Sequence, residues 1–240
     1  MKYILIGDIH GRTQWKKIVE KEKDADKFIF LGDYFDPYDW TLTLDDLVNN
    51  MLDLLKFKNE NSDRVVLLIG NHDLAVFDGR ANKCRYVDGL YEQMRHIFFN
   101  GILDGVFQLC YFITPNIVCS HAGFTKTWLN DHILEFNESE LNSDFISSLV
   151  EDYLMLRYDF IYNKMWQDQS GDNVWQGPLW VRPRSLLQDS PDNVIQVIGH
   201  TRIRKNTLQN PNESGILLAD CLEHMEYYTY EDNEFKYNKL

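Results

Sequence analysis

The chain has no apolar stretch approaching the ~20 residues a membrane span needs, so no membrane-spanning helix is expected. Cysteine is scarce: Cys84, Cys110, Cys119 and Cys221, none in a CxxC spacing. That disfavours a thiolate zinc site or a disulfide framework, and the four read as reduced thiols of a cytoplasmic protein. Positive charge is also short. Lys and Arg number 24 against 37 Asp and Glu, a formal net charge of −13. An extended DNA or RNA groove needs a basic surface, so such a partner is not expected. A small phosphorylated substrate is not excluded, because bound metal cations would dominate the field around it. There is no basic segment followed by an apolar run and a small-residue cleavage site, so no secretory signal is expected. Repeats, low-complexity tracts and linkers are absent too, and residues 1–240 read as a single domain.

Short apolar runs are present, and they end in a consistent way. KYILI precedes Gly7-Asp8-Ile9-His10-Gly11, KFIFL precedes Gly32-Asp33-Tyr34-Phe35-Asp36, and VVLLI precedes Gly70-Asn71-His72-Asp73. NIVC precedes Ser120-His121-Ala122-Gly123, and VIQVI precedes Gly199-His200-Thr201. Each run is β-branched or aromatic and reads as a buried strand. Between the first three, residues 13–22 and 43–59 repeat their apolar positions with helical period. Thr43 ahead of Asp45 and Asp46 marks a helix start. Strand–helix alternation predicts an α/β fold with parallel strands and right-handed crossovers.

The later chain predicts a helix over 86–99 and a hairpin from 106–113 and 117–120. It further predicts an aromatic-rich helical stretch over 125–166 and a loop-dominated stretch over 167–193. Together these last two form an insertion at about 125–193 that packs on the core or caps a site. Strands VIQVI, GILLAD and HMEYYTY close the chain.

In an open α/β sheet, ligands collect beyond the carboxyl ends of the strands. Five strand ends therefore point Asp8, His10, Asp33, Asn71, His72, His121 and His200 toward one crevice. Asp8 and His10 are two apart and share a side of an extended backbone. Asp33 has two oxygens and can bridge two cations. Carboxylate, amide and imidazole donors without thiolate suit Mn²⁺, Fe²⁺ or Zn²⁺.

These motifs resemble the pattern of the calcineurin-like metallophosphoesterases, which include protein serine/threonine phosphatases and symmetric diadenosine tetraphosphate hydrolases. GDIHG, GDYFD, GNHD, SHAG and GHT stand in the family order over residues 7–201. The resemblance implies a four-layer α/β/β/α sandwich of two mixed sheets flanked by helices. It implies two divalent metals, foremost Mn²⁺, with Asp8, His10 and Asp33 on one and Asp33, Asn71, His121 and His200 on the other. It implies hydrolysis of a phosphomonoester by in-line attack of a metal-bridging hydroxide. His72 would then protonate the leaving oxygen and Asp36 would orient His72. The substrate would be a phosphoprotein, nucleotide or dinucleotide. Hydrolysis of a dinucleoside polyphosphate or a phosphodiester is the alternative, and a non-catalytic binding module of the same fold is a third reading.

Two departures matter. Many protein phosphatases follow GDxxD with a phosphate-clamping Arg, where this chain has Pro37. Arg182, in Leu179-Trp180-Val181-Arg182, resembles the W-x-R segment of phage-type and bacterial members and is the expected replacement, with Arg12, Arg184 and Arg202 as competitors. The GHxH ending of the nuclease branch is missing, because Arg202 stands at its second His.

Overall fold

The computed structural model describes residues 1–78, 89–132, 172–203 and 211–240. Strand β1 (Tyr3–Ile6) pairs in parallel with β2 (Lys27–Phe30), and β2 with β3 (Val65–Leu68). Helices α1 (Gln14–Lys21) and α2 (Leu44–Glu60) are the crossovers between them. Thr43 starts α2 through a reciprocal capping box: its hydroxyl accepts from the Asp46 N–H at 3.2 Å, and the Asp46 carboxylate accepts from the Thr43 N–H at 2.8 Å. Such a cap contributes about 1 kcal/mol. Helix α3 (Asn71–Asp78) begins at the end of the β3 loop, and α4 (Leu90–Leu103) leads into the short β4 (Phe107–Gln108) beside β3.

The chain then changes sheets. Strands β5 (Cys110–Thr114) and β6 (Ile117–Ser120) form an antiparallel hairpin. Helix α5 (Lys126–His132) follows, then α6 (Pro183–Asp189), β7 (Ile195–Arg202), the one-turn α7 (Pro211–Ser214) and β8 (Ile216–Asp220). A 3₁₀ turn over Leu222–His224 leads to β9 (Glu226–Glu231) and β10 (Glu234–Lys239). The first sheet runs β10-β9-β1-β2-β3-β4 and the second β5-β6-β7-β8.

Strand period explains the layers. Ile4, Ile6, Phe28, Phe30, Val65 and Leu67 face Trp15, Ile18, Leu47, Met51, Met94 and Phe98 of the helices. Their alternate neighbours Tyr3, Leu5, Ile29, Leu31, Val66 and Leu68 meet Ile117, Cys119, Val197, Leu217 and Ala219 of the other sheet. Ile198 and Ile216, on the outer face of that second sheet, cover Leu186 of α6. Two mixed sheets packed face to face, with helices outside, give the expected four-layer sandwich. Each fully buried Val, Leu, Ile or Phe favours this packing by about 1.5–3 kcal/mol. Among the described residues no helix is long and apolar enough to cross a membrane.

Some elements differ from expectation. The single strand expected over 106–113 divides at Leu109, because Phe107 and Leu109 bury in the helix-side core while the following segment pairs with β6. Helix α4 sits four residues later than predicted. Residues 183–189, expected as loop, form α6 with Pro183 in its first turn, where a missing N–H costs nothing. Of the helical stretch expected over 125–166, Lys126–His132 is described; Phe136, Phe145, Tyr153, Tyr158, Phe160, Tyr162 and Trp166 lie outside the described residues, as does Cys84.

Candidate metal centre

The loops after β1, β2, β3 and β6 converge with the irregular end of β7, and four residues there adopt left-handed backbone: His10 (φ 45°), Asp33 (φ 52°), Asp36 (φ 63°) and His200 (φ 58°). Such conformations cost non-glycine residues on the order of 1–2 kcal/mol each and persist only where the surroundings enforce them. Hydrogen bonds do so here. The His10 N–H donates to the Asp33 carbonyl at 2.6 Å and the Gly11 N–H to the Tyr34 carbonyl at 2.9 Å. The fully buried Asp73 carboxylate accepts from the N–H groups of Asp33 (2.9 Å), Tyr34 (2.8 Å) and Gly70 (2.8 Å). The His200 N–H points at both Asp8 carboxylate oxygens, 3.1 Å away. Two glycines make room for these carboxylates. A Cβ at Gly70 would overlap Asp33, and one at Gly199 would overlap Asp8.

Two buried groups with metal-ligating atoms result, Asp8–His10–Asp33 and Asp33–His121–His200, in each of which the donor atoms lie within 4.8 Å of one another. Asp33 belongs to both. Asn71 lies between the second pair of imidazoles, its Oδ1 2.9 Å from His121 Nε2 and 3.0 Å from His200 Nδ1.

The outer hydrogen bonds assign the tautomers. His10 Nδ1 donates to the carbonyls of Phe35 (2.9 Å) and Asp36 (3.0 Å), leaving Nε2 as the lone pair toward Asp8 and Asp33. His121 Nδ1 donates to the Leu31 carbonyl at 2.7 Å, leaving Nε2 facing inward. His200 Nε2 donates to the Trp180 carbonyl at 3.2 Å, leaving Nδ1 inward. Three lone pairs and an amide oxygen therefore converge with no proton among them. Acceptors aimed at one another are unfavourable unless a cation joins them, so the donor set fits divalent metal.

Electrostatics agree. Burial, then the neighbouring Asp220 and Asp33, push the Asp8 carboxyl well above its usual range. Burial acts the same way on Asp33, but His121, His72, His10 and His200 outweigh it and keep Asp33 ionised. Burial lowers His10 to about 4 and holds His121 and His200 below the usual imidazole range. Neutral imidazoles are the ligand forms a metal requires, and a cation would offset the crowding of negative charge that raises Asp8.

His72, at the start of α3, stands beside this cluster. Its N–H donates to Asp33 Oδ1 at 2.9 Å, its Nδ1 lies 2.5 Å from Asp36 Oδ2, and its Nε2 lies 3.8 Å from Asp33 Oδ2. Asp36 thus lies against one ring nitrogen, while the other is on the side of the cluster. Arg182, at the start of α6, donates from Nη1 to the His200 carbonyl (2.9 Å) and to Thr201 Oγ1 (3.1 Å). Arg184 is exposed and lies 3.9 Å from Asp172.

Three neighbours escaped the sequence reading. Asp73 had the signal of its place in GNHD, but its role depends on a turn that only the fold reveals. Asp220 ends β8, and burial, only partly offset by Arg12, raises it to about 7. Tyr38 places its ring 4.8 Å from that of His10; an aromatic residue in a polar loop carries no such signal.

The family model for calcineurin-like phosphoesterases matches residues 1–213. A search of curated proteins finds no match. Among solved structures, a cold-active protein-tyrosine phosphatase of a psychrophilic Shewanella superposes with a TM-score of 0.60 at 19% identity, covering 98% of this chain and 77% of that one. A protein serine/threonine phosphatase of Saccharomyces cerevisiae superposes with a TM-score of 0.55 at 14% identity, covering 100% and 80%. At these identities the likeness speaks for the fold, while the match along the sequence speaks for the family. With its buried Asp/His clusters and the family match over most of its length, the chain belongs to the calcineurin-like phosphoesterases and is a metal-dependent phosphoesterase.

Proposed function

We propose that the protein hydrolyses a phosphomonoester at this centre. Asp8, His10 and Asp33 would hold one divalent cation, and Asp33, Asn71, His121 and His200 the other, with Mn²⁺ the preferred ion. Such a pair of cations supplies charge stabilisation for phosphoryl oxygens and a nucleophile from water at neutral pH. The chain's own residues do the rest. His72 acts as general acid: Asp36 retains the proton on Nδ1, and the proton on Nε2 passes to the leaving oxygen. Arg182 presents its guanidinium fork to the phosphoryl oxygens from a position tied to His200 and Thr201. The protein acts as a single domain in the cytoplasm.

The observation that carries this reading is the His72–Asp36 contact of 2.5 Å beside two clusters that share Asp33. A cluster built only to bind metal has no use for a carboxylate-held imidazole next to it. Both structural neighbours named above are protein phosphatases, which supports a monoester. The test is turnover by the Mn²⁺-loaded protein on phosphopeptide, mononucleotide, dinucleoside tetraphosphate and cyclic nucleotide substrates. Preferential release of phosphate from monoesters is expected. Turnover confined to the tetraphosphate or cyclic nucleotide would replace the proposal.

A further inference from the structure

Arg12 and Arg202 meet at the mouth of the crevice, in a protein otherwise rich in acid. The Arg202 guanidinium carbon lies 3.9 Å from the centroid of the Tyr38 ring, and that of Arg12 lies 5.7 Å from it. The same ring packs edge-on against His10 at 4.8 Å. One carboxylate, Glu223 Oε2, joins both arginines, 3.0 Å from Arg202 Nη1 and 3.5 Å from Arg12 Nη2. Arg202 and Glu223 are open to solvent, with side chains 46% and 42% exposed. Each guanidinium has five N–H donors in a fork that fits two oxygens of a carboxylate or phosphate. Glu223 engages a minority of them, and Arg12 directs Nη1 at the Asp8 and Ile9 carbonyls, 3.4 and 3.5 Å away. The pair is held by aromatic stacking and by the 3₁₀ turn carrying Glu223, so its geometry is set in advance. It stands on the flank of His10, whose ring centroid is 5.2 Å from that of His72.

We propose that Arg12 and Arg202 form an anion subsite for a second carboxylate or phosphate on the leaving-group side of the substrate. Glu223 occupies it until that anion displaces it. The proposal rests on the phosphomonoesterase reading above and deepens it to a substrate class: monoesters whose alcohol carries another negative charge. A neutral leaving group gains nothing from the two arginines, whereas an anionic one replaces Glu223 across the same donors.

Matched substrate pairs test this with the Mn²⁺-loaded protein. One pair is a phosphoserine peptide with Asp beside the phosphoserine against the same peptide with Asn. The other is 3-phosphoglycerate against glycerol 3-phosphate, which differ by a carboxylate in place of a hydroxymethyl group. The readout is the ratio of kcat/KM, anionic over neutral. The wild-type ratio should exceed one in at least one pair, and the pair identifies whether the anion comes from a peptide or a small molecule. It should shrink as salt screens the exposed arginines. Arg202→Gln should lower the ratio about threefold to tenfold, the range of an exposed charge-assisted contact. Glu223→Gln should raise it, because a competing carboxylate is removed. Opposite shifts separate a subsite from a structural ion pair, since either substitution breaks that pair alike. Ratios near one in both pairs, or shifts of the same sign in the two variants, overturn the proposal while turnover itself leaves the phosphomonoesterase reading standing. No turnover of any monoester with two ions bound overturns that reading, and the subsite with it.

Discussion

Asp33 contributes one carboxylate to both Asp/His clusters, so its removal should act twice. Asp33→Asn is expected to reduce bound Mn²⁺ well below two per chain, measured by elemental analysis after gel filtration. His72→Asn should retain both ions. It should lower kcat by about 10²–10⁴-fold for an alkyl phosphate, and by much less for an activated aryl phosphate whose leaving group needs little protonation. Loss of metal from the His72 variant would make it a ligand instead. Arg182→Lys preserves charge but loses the fork, so KM should rise and kcat/KM fall about ten- to hundredfold with metal content unchanged. Wild-type kinetics in that variant would move the clamp elsewhere. Asp33 and His72 were legible as candidates because they follow strand ends in a fixed order of short motifs, whereas Arg182 was read from the likeness of its segment to W-x-R. Asp73, Asp220 and Tyr38 were not legible, since their positions relative to Asp33, Asp8 and His10 arise from contacts between distant segments.

The loops and strands that carry these side chains are where strain is held. Gly70 lies against Asp33, and an added Cβ there overlaps both its carboxylate and its backbone N. Gly70→Ala should destabilise the protein by about 1–3 kcal/mol in urea unfolding and weaken metal binding as Asp33 is displaced. Asp220 at the end of β8 titrates at about 7 in the folded chain, against 3.8 for an ordinary aspartate. Between those values the folded state holds more protons than the unfolded state, so this group's contribution to stability falls as pH rises. Relative to Asp220→Asn, the metal-free wild type should lose stability steadily from about pH 4 to pH 7; a constant difference between the two across that range would refute the buried-acid assignment. Elements with strong periodicity, β1 to β3, α1 and α2, were readable to within about a residue or two. The divided strand at Leu109 was not, because the same apolar alternation suits either sheet. Strand β10 was missed as well: over Glu234–Lys239 only Phe235 and Tyr237 alternate with polar residues, a weak signal on a charged, largely exposed strand at a sheet edge.

At the scale of the whole molecule, two mixed sheets bury one another and leave the ends of β1, β2, β3, β6 and β7 at a common crevice. The strand–helix alternation foretold the layers, and the family pattern foretold two sheets rather than one. Folding alone gathers mutually repelling carboxylates and inward lone pairs, so metal should stabilise the folded chain. At a hundredfold excess over the dissociation constant, one bound ion contributes about 2.7 kcal/mol, which should appear as a higher Tm with Mn²⁺ and a lower one with EDTA. The most direct measurement joins stoichiometry to turnover. The protein is stripped with EDTA, titrated with Mn²⁺ or Mg²⁺, and assayed for bound metal and phosphate release at each step. Activity should be absent in the metal-free protein, appear as occupancy approaches two ions per chain, and be restored better by Mn²⁺ than by Mg²⁺, because imidazole ligands favour the softer ion. Full activity in protein shown by elemental analysis to be metal-free would contradict the account.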